Sequence, residues 1–333
     1  MNRTEQPLVS VLTPVYNGEK HLAECIESVL AQTYQNWEYC IVNNCSTDRT
    51  LEIAERYAKK DPRIRIHNNA EFVGCDANGN IALQQMSSES KYCKVVHADD
   101  WLFPECILKM VEVAEANPKV AIVCSYGLRN ERVSWDGLPY PSTVVSGKEI
   151  CRNMFLGGPY VFGSPSSMLI RSNEVRKRTP HFYNEKNPHC DIETCLDILR
   201  DNDFGFVHQV LTFTREHAEA ESSFNNRFGT NYLGSIEHLS KYGHFYLNDS
   251  EYKESLQRSW KKYYSFLGGN VFHKKEQGFW DFQRRALGRL GYSISKRRVA
   301  VNALAEVFDL ALNPLNTSKK IARKVRRLFA LNS

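Results

Sequence analysis

Three short stretches carry side chains suited to joint chemistry. The first is His97-Ala98-Asp99-Asp100, which closes the apolar run from Tyr92 to Val96. Neighbouring carboxylates at the end of a buried strand repel each other unless a positive charge lies between or beyond them. Two readings of the pair stand at this level. One aspartate can end a turn and cap the helix that begins at Pro104, which leaves the other unexplained. Alternatively, both serve a hard divalent cation, Mg2+ or Mn2+, completed by substrate phosphate oxygens. The second stretch, Thr13-Pro14-Val15-Tyr16-Asn17-Gly18, is either plain turn chemistry or a loop that exposes backbone groups and the Tyr16 ring for stacking on a planar base. The third is the polar turn Asn43-Asn44-Cys45-Ser46-Thr47-Asp48. Neither a dinucleotide glycine fingerprint nor a Gly-Lys-Ser/Thr phosphate loop is present.

The elements that must position these turns follow from hydrophobic period. Strands are expected at 8–12, 37–42, 64–67, 92–96 and 120–125. Helices are expected at 19–33, 50–60, 74–86 and 104–117. In the first helix Leu22, Cys25, Ile26, Val29 and Leu30 share one face. This β-α-β-α order implies right-handed crossovers and a mainly parallel sheet with helices on both faces. Ligands of such sheets lie beyond the C-terminal strand ends, where all three turns fall. From 127 to 163 Gly, Pro and Ser predominate, and loops are expected. A strand at 166–171, a helix at 191–200, a strand at 204–214 and an all-helical stretch from 230 to 312 complete the reading.

With 333 residues, 42% hydrophobic and 24% charged, the chain is of ordinary globular composition. No apolar run approaches bilayer length. The polar start at 1–7 does not read as a signal peptide. The ten cysteines form no Cys-x-x-Cys pair. They are therefore expected to be reduced core thiols in a cytoplasmic protein. The net charge of +5 is concentrated at one end: six of 43 Lys and Arg fall in 319–333, which holds no acid, leaving 37 against 38 Asp and Glu elsewhere. Ile321, Val325, Leu328 and Phe329 recur there at helical spacing. That tail is either a terminal helix packed on the body or an amphipathic helix on the anionic inner face of a membrane. Nucleic acid is not an expected partner, because the body has no matching basic pattern.

In order along the chain, the motifs resemble glycosyltransferase family 2, the inverting enzymes of GT-A, nucleotide-diphospho-sugar transferase fold. Residues Val9 to Glu19 resemble the family's opening strand and turn, and Ser28 to Tyr34 the end of its first helix. Asn43 to Thr50 resembles its Asp-Asp-x-Ser-Thr-Asp-x-Thr turn, Gly74 to Leu83 its glycine- and asparagine-containing segment, and Ala98-Asp99-Asp100 its Asp-x-Asp region. The match runs from residue 8 to about 125. The resemblance implies that Pro14, Tyr16 and Asn44 flank the nucleotide base, with Asn17, Gly74 and Asn80 also on the donor side. It implies that Asp99 faces the ribose or sugar, and that Asp100, with Asp99, holds the metal. The chain departs from the family at Asn43 and Asn44, where aspartate is usual, at Asn78-Gly79-Asn80, where Ala-Arg-Asn is usual, and at His97, where many members carry Asp. An Asn44 amide can still bond a pyrimidine edge. His97 either points back into the sheet as a neutral core histidine or lowers the negative charge near the diphosphate.

In the second half, Asp191 of His189-Cys190-Asp191-Ile192-Glu193 is either a first-turn helix acid or the base that an inverting transfer requires. The resemblance favours the base, with Glu193 second. Arg215 and His217 form the family's Arg-x-His: Arg215 for diphosphate, His217 for metal or phosphate, or else a solvated loop. The implied organisation is a GT-A catalytic domain over 1–225, in a nucleotide-sugar half (1–125) and an acceptor half (126–225). A helical extension (226–317) and the basic tail (318–333) follow. The implied partners are a nucleotide-sugar donor, UDP-linked, and a glycan or lipid-linked saccharide acceptor. The competing reading is a degenerate relative that binds nucleotide-sugar or glycan without turnover inside a membrane glycan-assembly complex.

Overall fold

A computed structural model describes residues 6–135, 138–216, 225, 227–272 and 278–312. The chain divides into two compact units, 1–216 and 217–333. The first unit opens with β1 (Val9–Val15), α1 (Leu22–Leu30), β2 (Trp37–Asn43), α2 (Thr50–Ala58), β3 (Ile64–Asn68), α3 (Cys75–Gln84) and β4 (Tyr92–Val95). Then come β5 (Trp101–Leu102), α4 (Cys106–Ala116), β6 (Val120–Arg129), β7 (Arg132–Ser134), β8 (Val144–Ser146) and α5 (Gly147–Phe155). β9 (Leu169–Arg171), α6 (Ser172–Arg176), α7 (Cys190–Ile198) and β10 (Asp203–Thr214) complete it.

The sheet order is β3-β2-β1-β4-β9-β6-β10-β5. β3, β2, β1 and β4 run parallel, as do β6 and β10. β9 is antiparallel to both its neighbours, and β5 to β10. Such central strands have both faces covered, and β1 and β4 are buried almost throughout, the polar Ser10, Thr13 and Lys94 included. Val9, Val11 and Val15 share one core with Leu22, Cys25, Ile26 and Val29 of α1 and Tyr39 and Ile41 of β2. None of the ten cysteines forms a disulfide, and eight are buried. Among the described residues no helix is long and apolar enough to cross a membrane.

Three expectations need correction. The loop reading of 127–163 misses the β6–β7 hairpin, β8 and α5. In α5, Ile150, Cys151 and Phe155 are buried, a helical stripe hidden between glycine- and proline-rich flanks. The strand expected at 166–171 is a 3-10 turn, Pro165–Ser167, followed by only three strand residues. Finally, α4 starts at Cys106 with Glu105 at its cap position, so neither Asp99 nor Asp100 caps it.

The second unit is helical in its described part: α8 (Thr230–Tyr246), α9 (Asp249–Gly269), α10 (Phe279–Arg289) and α11 (Lys296–Leu312). A capping box of Asn248 and Glu251 starts α9. Gln283 is fully buried, donates to the Phe228 carbonyl at 2.6 Å and accepts from the Tyr263 hydroxyl at 3.1 Å. These bonds tie three segments around a core that includes Leu267, Phe279 and Leu287.

Two glycines give a test of this packing. A Cβ on Gly147 would meet the Asn202 and Leu199 carbonyl oxygens at 2.1 and 2.2 Å, whereas one on Gly74 meets nothing within 4 Å. Urea unfolding should show Gly147→Ala destabilised by about 1–3 kcal/mol or more, and Gly74→Ala within about 0.5 kcal/mol of the parent.

Candidate active site

The three polar turns meet at the C-terminal ends of β1, β2 and β4 and are bonded to one another. The Asn17 amide N–H donates to Ser46 Oγ at 3.0 Å, and Asn17 Oδ1 accepts from the Thr47 N–H at 2.9 Å. Gly18 N–H donates to Thr50 Oγ1 at 2.7 Å, and Glu19 N–H to Asp48 Oδ2 at 3.0 Å. Gly18 also lies against the third turn: its missing Cβ would stand 3.5 Å from Ala98 Cβ and 2.6 Å from a Val15 methyl. Pro14 is half-buried at the end of β1. Tyr16 is exposed, edge-on to exposed Phe72 with ring centroids 4.8 Å apart.

Asn44 sits differently from the expectation of a free base-reading amide. It is buried; its Nδ2 donates to the Val73 carbonyl at 2.8 Å, and its Oδ1 accepts from the Val73 N–H at 3.0 Å and from Asn69 Nδ2 at 3.0 Å. The amide is thus engaged in holding the 69–73 loop. Asn80, also buried, pairs with both backbone groups of Tyr183, donating at 2.9 Å and accepting at 2.8 Å, and reaches Glu185 at 3.1 Å. It anchors the loop that leads into α7. Gly74 takes an extended, non-helical conformation as the cap of α3.

His97, Asp99 and Asp100 each bring a ligand atom within 4.8 Å of the others, a group that fits a divalent cation. β4 ends at Val95, so His97 has left the strand and stands with the acids, not in the sheet. Asp100 is 3% exposed. Burial pushes its carboxyl up to about 6, and Asp99 adds to the rise; His97, the Ser166 hydroxyl and the Arg215 N–H, 3.1 Å from Oδ1, oppose it. Arg215 arrives through register: β5 pairs Trp101 with Phe213 and stacks the two rings 4.8 Å apart, bringing the residue after β10 back to Asp100. Its Nε donates to the Asp99 carbonyl at 3.2 Å, and its guanidinium pairs with Glu24 at 2.5 Å. His217 lies outside the described residues.

Asp191 stands in the first turn of α7, its Oδ1 accepting from the Ile192 N–H at 2.8 Å. Burial raises its carboxyl to about 6; Ile192 and His97 counter the rise, and Asp76 contributes to it. Glu193 is buried and accepts from Asn187 at 2.7 Å and Asn184 at 3.1 Å, so it closes the preceding loop.

Sequence reasoning missed three contributors. Asp76, in the first turn of α3, is itself raised by burial and accepts from Cys190 Sγ at 3.3 Å. Ser166 gave no periodic signal. Lys94 did give one, a charge inside an apolar strand: it is fully buried and donates to the Ser166 and Met168 carbonyls at 2.6 and 3.1 Å.

The model of the family described as glycosyl transferase family 2 matches residues 10–178. The chain belongs to that family. TuaG of Bacillus subtilis (strain 168), named as a teichuronic acid biosynthesis glycosyltransferase, is 38% identical over 195 residues, 59% of this chain and 73% of TuaG. The chain spans only 13 to 36% of the length of three other curated relatives. Among solved structures, residues 1–349 of S. aureus TarS with UDP-GlcNAc superpose with a TM-score of 0.62 at 17% identity, over 88% of this chain and 83% of that one. Mannosyltransferase PcManGT from Pyrobaculum calidifontis, with GDP-Man and Mn2+, gives 0.56 at 15% identity over 98% and 89%. The fold is accordingly the GT-A α/β type, with a mainly parallel sheet and helices in its C-terminal part.

Two outcomes follow from the geometry. Asn44→Asp sets a carboxylate, which cannot donate, against the Val73 carbonyl. It should lose about 1–3 kcal/mol in urea unfolding, even though aspartate is the family's usual residue there. Asp191 is held near 6 in the folded chain against 3.8 for a free side chain. The stability its protonated form supplies is therefore full below 3.8 and lost as pH rises through about 6. Asp191→Asn should raise Tm at about pH 7.5, and the gain should vanish below about pH 4.

Proposed function

We propose that the chain is a metal-dependent inverting glycosyltransferase that moves a sugar from a nucleotide-diphosphate donor, a UDP-sugar, to a hydroxyl of a glycan or lipid-linked saccharide. One observation carries the reading: ligand atoms of His97, Asp99 and Asp100 lie within 4.8 Å of one another beyond the end of β4, and His97 favours the ionised form of Asp191 as well as that of Asp100. The UDP-GlcNAc complex of TarS supports the donor class, and the name of TuaG supports a cell-surface polysaccharide as product.

In this reading Tyr16 stacks on the base beside Pro14, and Asn17 and Asn44 fix the loops that frame it. Gly74 and Asn80 shape the donor side through α3 and the 183–186 loop. Asp99 faces the ribose or sugar. Arg215 lies where a diphosphate leaves and can exchange its Glu24 partner for phosphate. A Mg2+ or Mn2+ ion on Asp100 and Asp99, with His217 as a further ligand, would neutralise the departing diphosphate. Asp191 takes the acceptor hydroxyl proton as that oxygen attacks the anomeric carbon from the face opposite the diphosphate, which inverts the centre. A base near 6 is ionised at neutral pH yet still basic enough to accept the proton. The catalytic domain covers 1–225, the helical extension 226–317 and the basic tail 318–333.

We also infer that the chain works at the inner face of a membrane. Val301, Leu304, Phe308 and Leu312 lie exposed along one stripe of α11, which Lys296, Arg297 and Arg298 open. The tail that follows, outside the described residues, carries six cations and no acid. Apolar area beside a polybasic segment binds anionic lipid.

The full chain should release UDP from a UDP-sugar with Mn2+ and lose that activity with a chelator or as Asp100→Ala. Asp191→Asn should lower transfer at least about 100-fold, and wild-type kcat should climb as pH rises through about 6. Transfer undiminished in Asp191→Asn would remove the base assignment. In flotation assays the chain should bind vesicles containing anionic lipid. A chain ending at Ser318, or Leu304→Glu with Phe308→Glu, should bind far less; equal binding by both would exclude the membrane role.

A further inference from the structure

The residue that departs most from the family pattern at the acidic pair is His97, and its surroundings give it a ligand's posture. Its backbone is fixed from two sides. The His97 N–H donates to Ser166 Oγ at 3.0 Å, and its carbonyl accepts from the Asp100 N–H at 3.0 Å. The turn so closed turns residues 97, 99 and 100 toward one point, with one nitrogen and two carboxylate oxygens within 4.8 Å. Atoms bonded to one small divalent ion at about 2.1 Å lie at most about 4.2 Å apart, so small side-chain rotations close the set. Ser166 also bonds the Asp100 carboxyl. One hydroxyl thus holds the carboxyl of Asp100 and the backbone of His97 together, and Lys94 in turn anchors the Ser166 carbonyl from within the core.

We propose that His97 is a direct metal ligand alongside Asp99 and Asp100, and that its imidazole makes the site favour a transition-metal divalent ion such as Mn2+ over Mg2+. Oxygen-only sites suit Mg2+, whereas imidazole shifts preference along the first-row transition series. The inference rests on the metal-dependent reading above and sharpens it to ligand set and metal choice.

Pulsed electron paramagnetic resonance on the full chain with Mn2+, alone and with UDP, reads the ligand directly. Wild type should show imidazole nitrogen coupling to bound Mn2+. His97→Asp should lose the coupling while still binding Mn2+. His97→Ala, checked for folding by its melting curve, should weaken Mn2+ about 10- to 100-fold. In competition titrations Mg2+ should displace Mn2+ at least about tenfold more readily from His97→Asp than from wild type. Bound Mn2+ without nitrogen coupling in the wild type would overturn the role of His97 and leave the glycosyltransferase reading standing. Coupling that survives in His97→Asp would place the nitrogen on another residue and overturn it equally. No Mn2+ uptake with or without UDP would remove both this ligand set and the metal dependence it rests on.

Discussion

Keeping Asp100 buried beside Asp99 is the constraint on which the site depends. A desolvated carboxylate next to another acid is costly unless its oxygens are bonded and positive charge is near. The fold meets that requirement from three directions. The Ser166 hydroxyl comes from the 3-10 turn, the Arg215 N–H from the end of β10, and the His97 imidazole from the same turn as the acid. Each is delivered by a different part of the sheet. β9 inserts antiparallel between β4 and β6 and carries the 3-10 turn in front of it; β5 folds back on β10 and sets Arg215. Two of the antiparallel strands, β9 and β5, thus bring the Ser166 turn and Arg215 to the acids.

The buried ammonium of Lys94 belongs to the same economy. Among the described residues no carboxylate lies within bonding distance of it; burial lowers its affinity for a proton, and the ammonium is held by two carbonyls. Those carbonyls belong to Ser166 and Met168, on either side of the turn that supplies the hydroxyl to Asp100. A side chain that would cost stability in an ordinary core strand fixes the segment on which the acid depends.

Much of this was legible in the sequence. The strands expected at 8–12, 37–42 and 92–96 and the helical faces of α1 and α2 follow from the hydrophobic pattern, and residues 8–125 resemble the family throughout. What escaped notice did so for physical reasons. α5 buries only Ile150, Cys151 and Phe155 between turn-forming flanks, too short a stripe to separate from loop. β5 has two residues. Asn44 and Asn80 carry the amides expected of donor contacts, but each makes a paired bond to a backbone peptide, and nothing in residue type distinguishes an amide facing a ligand from one facing Val73 or Tyr183. Ser166 matters because its turn lies beside β4, a proximity created by β9, which sequence period alone does not reveal.

The placement of His97 links acids from different parts of the chain. It acts on Asp100 and also on Asp191 and Asp76, always favouring the ionised carboxyl. Asp76 pushes Asp191 the other way. Burial sets the basicity of Asp191, and His97 and Asp76 adjust it in opposite directions. An aspartate at position 97 would oppose the ionised forms of Asp100 and Asp191 where the histidine favours them, so the histidine is a physical change in the field at both acids and not a neutral exchange.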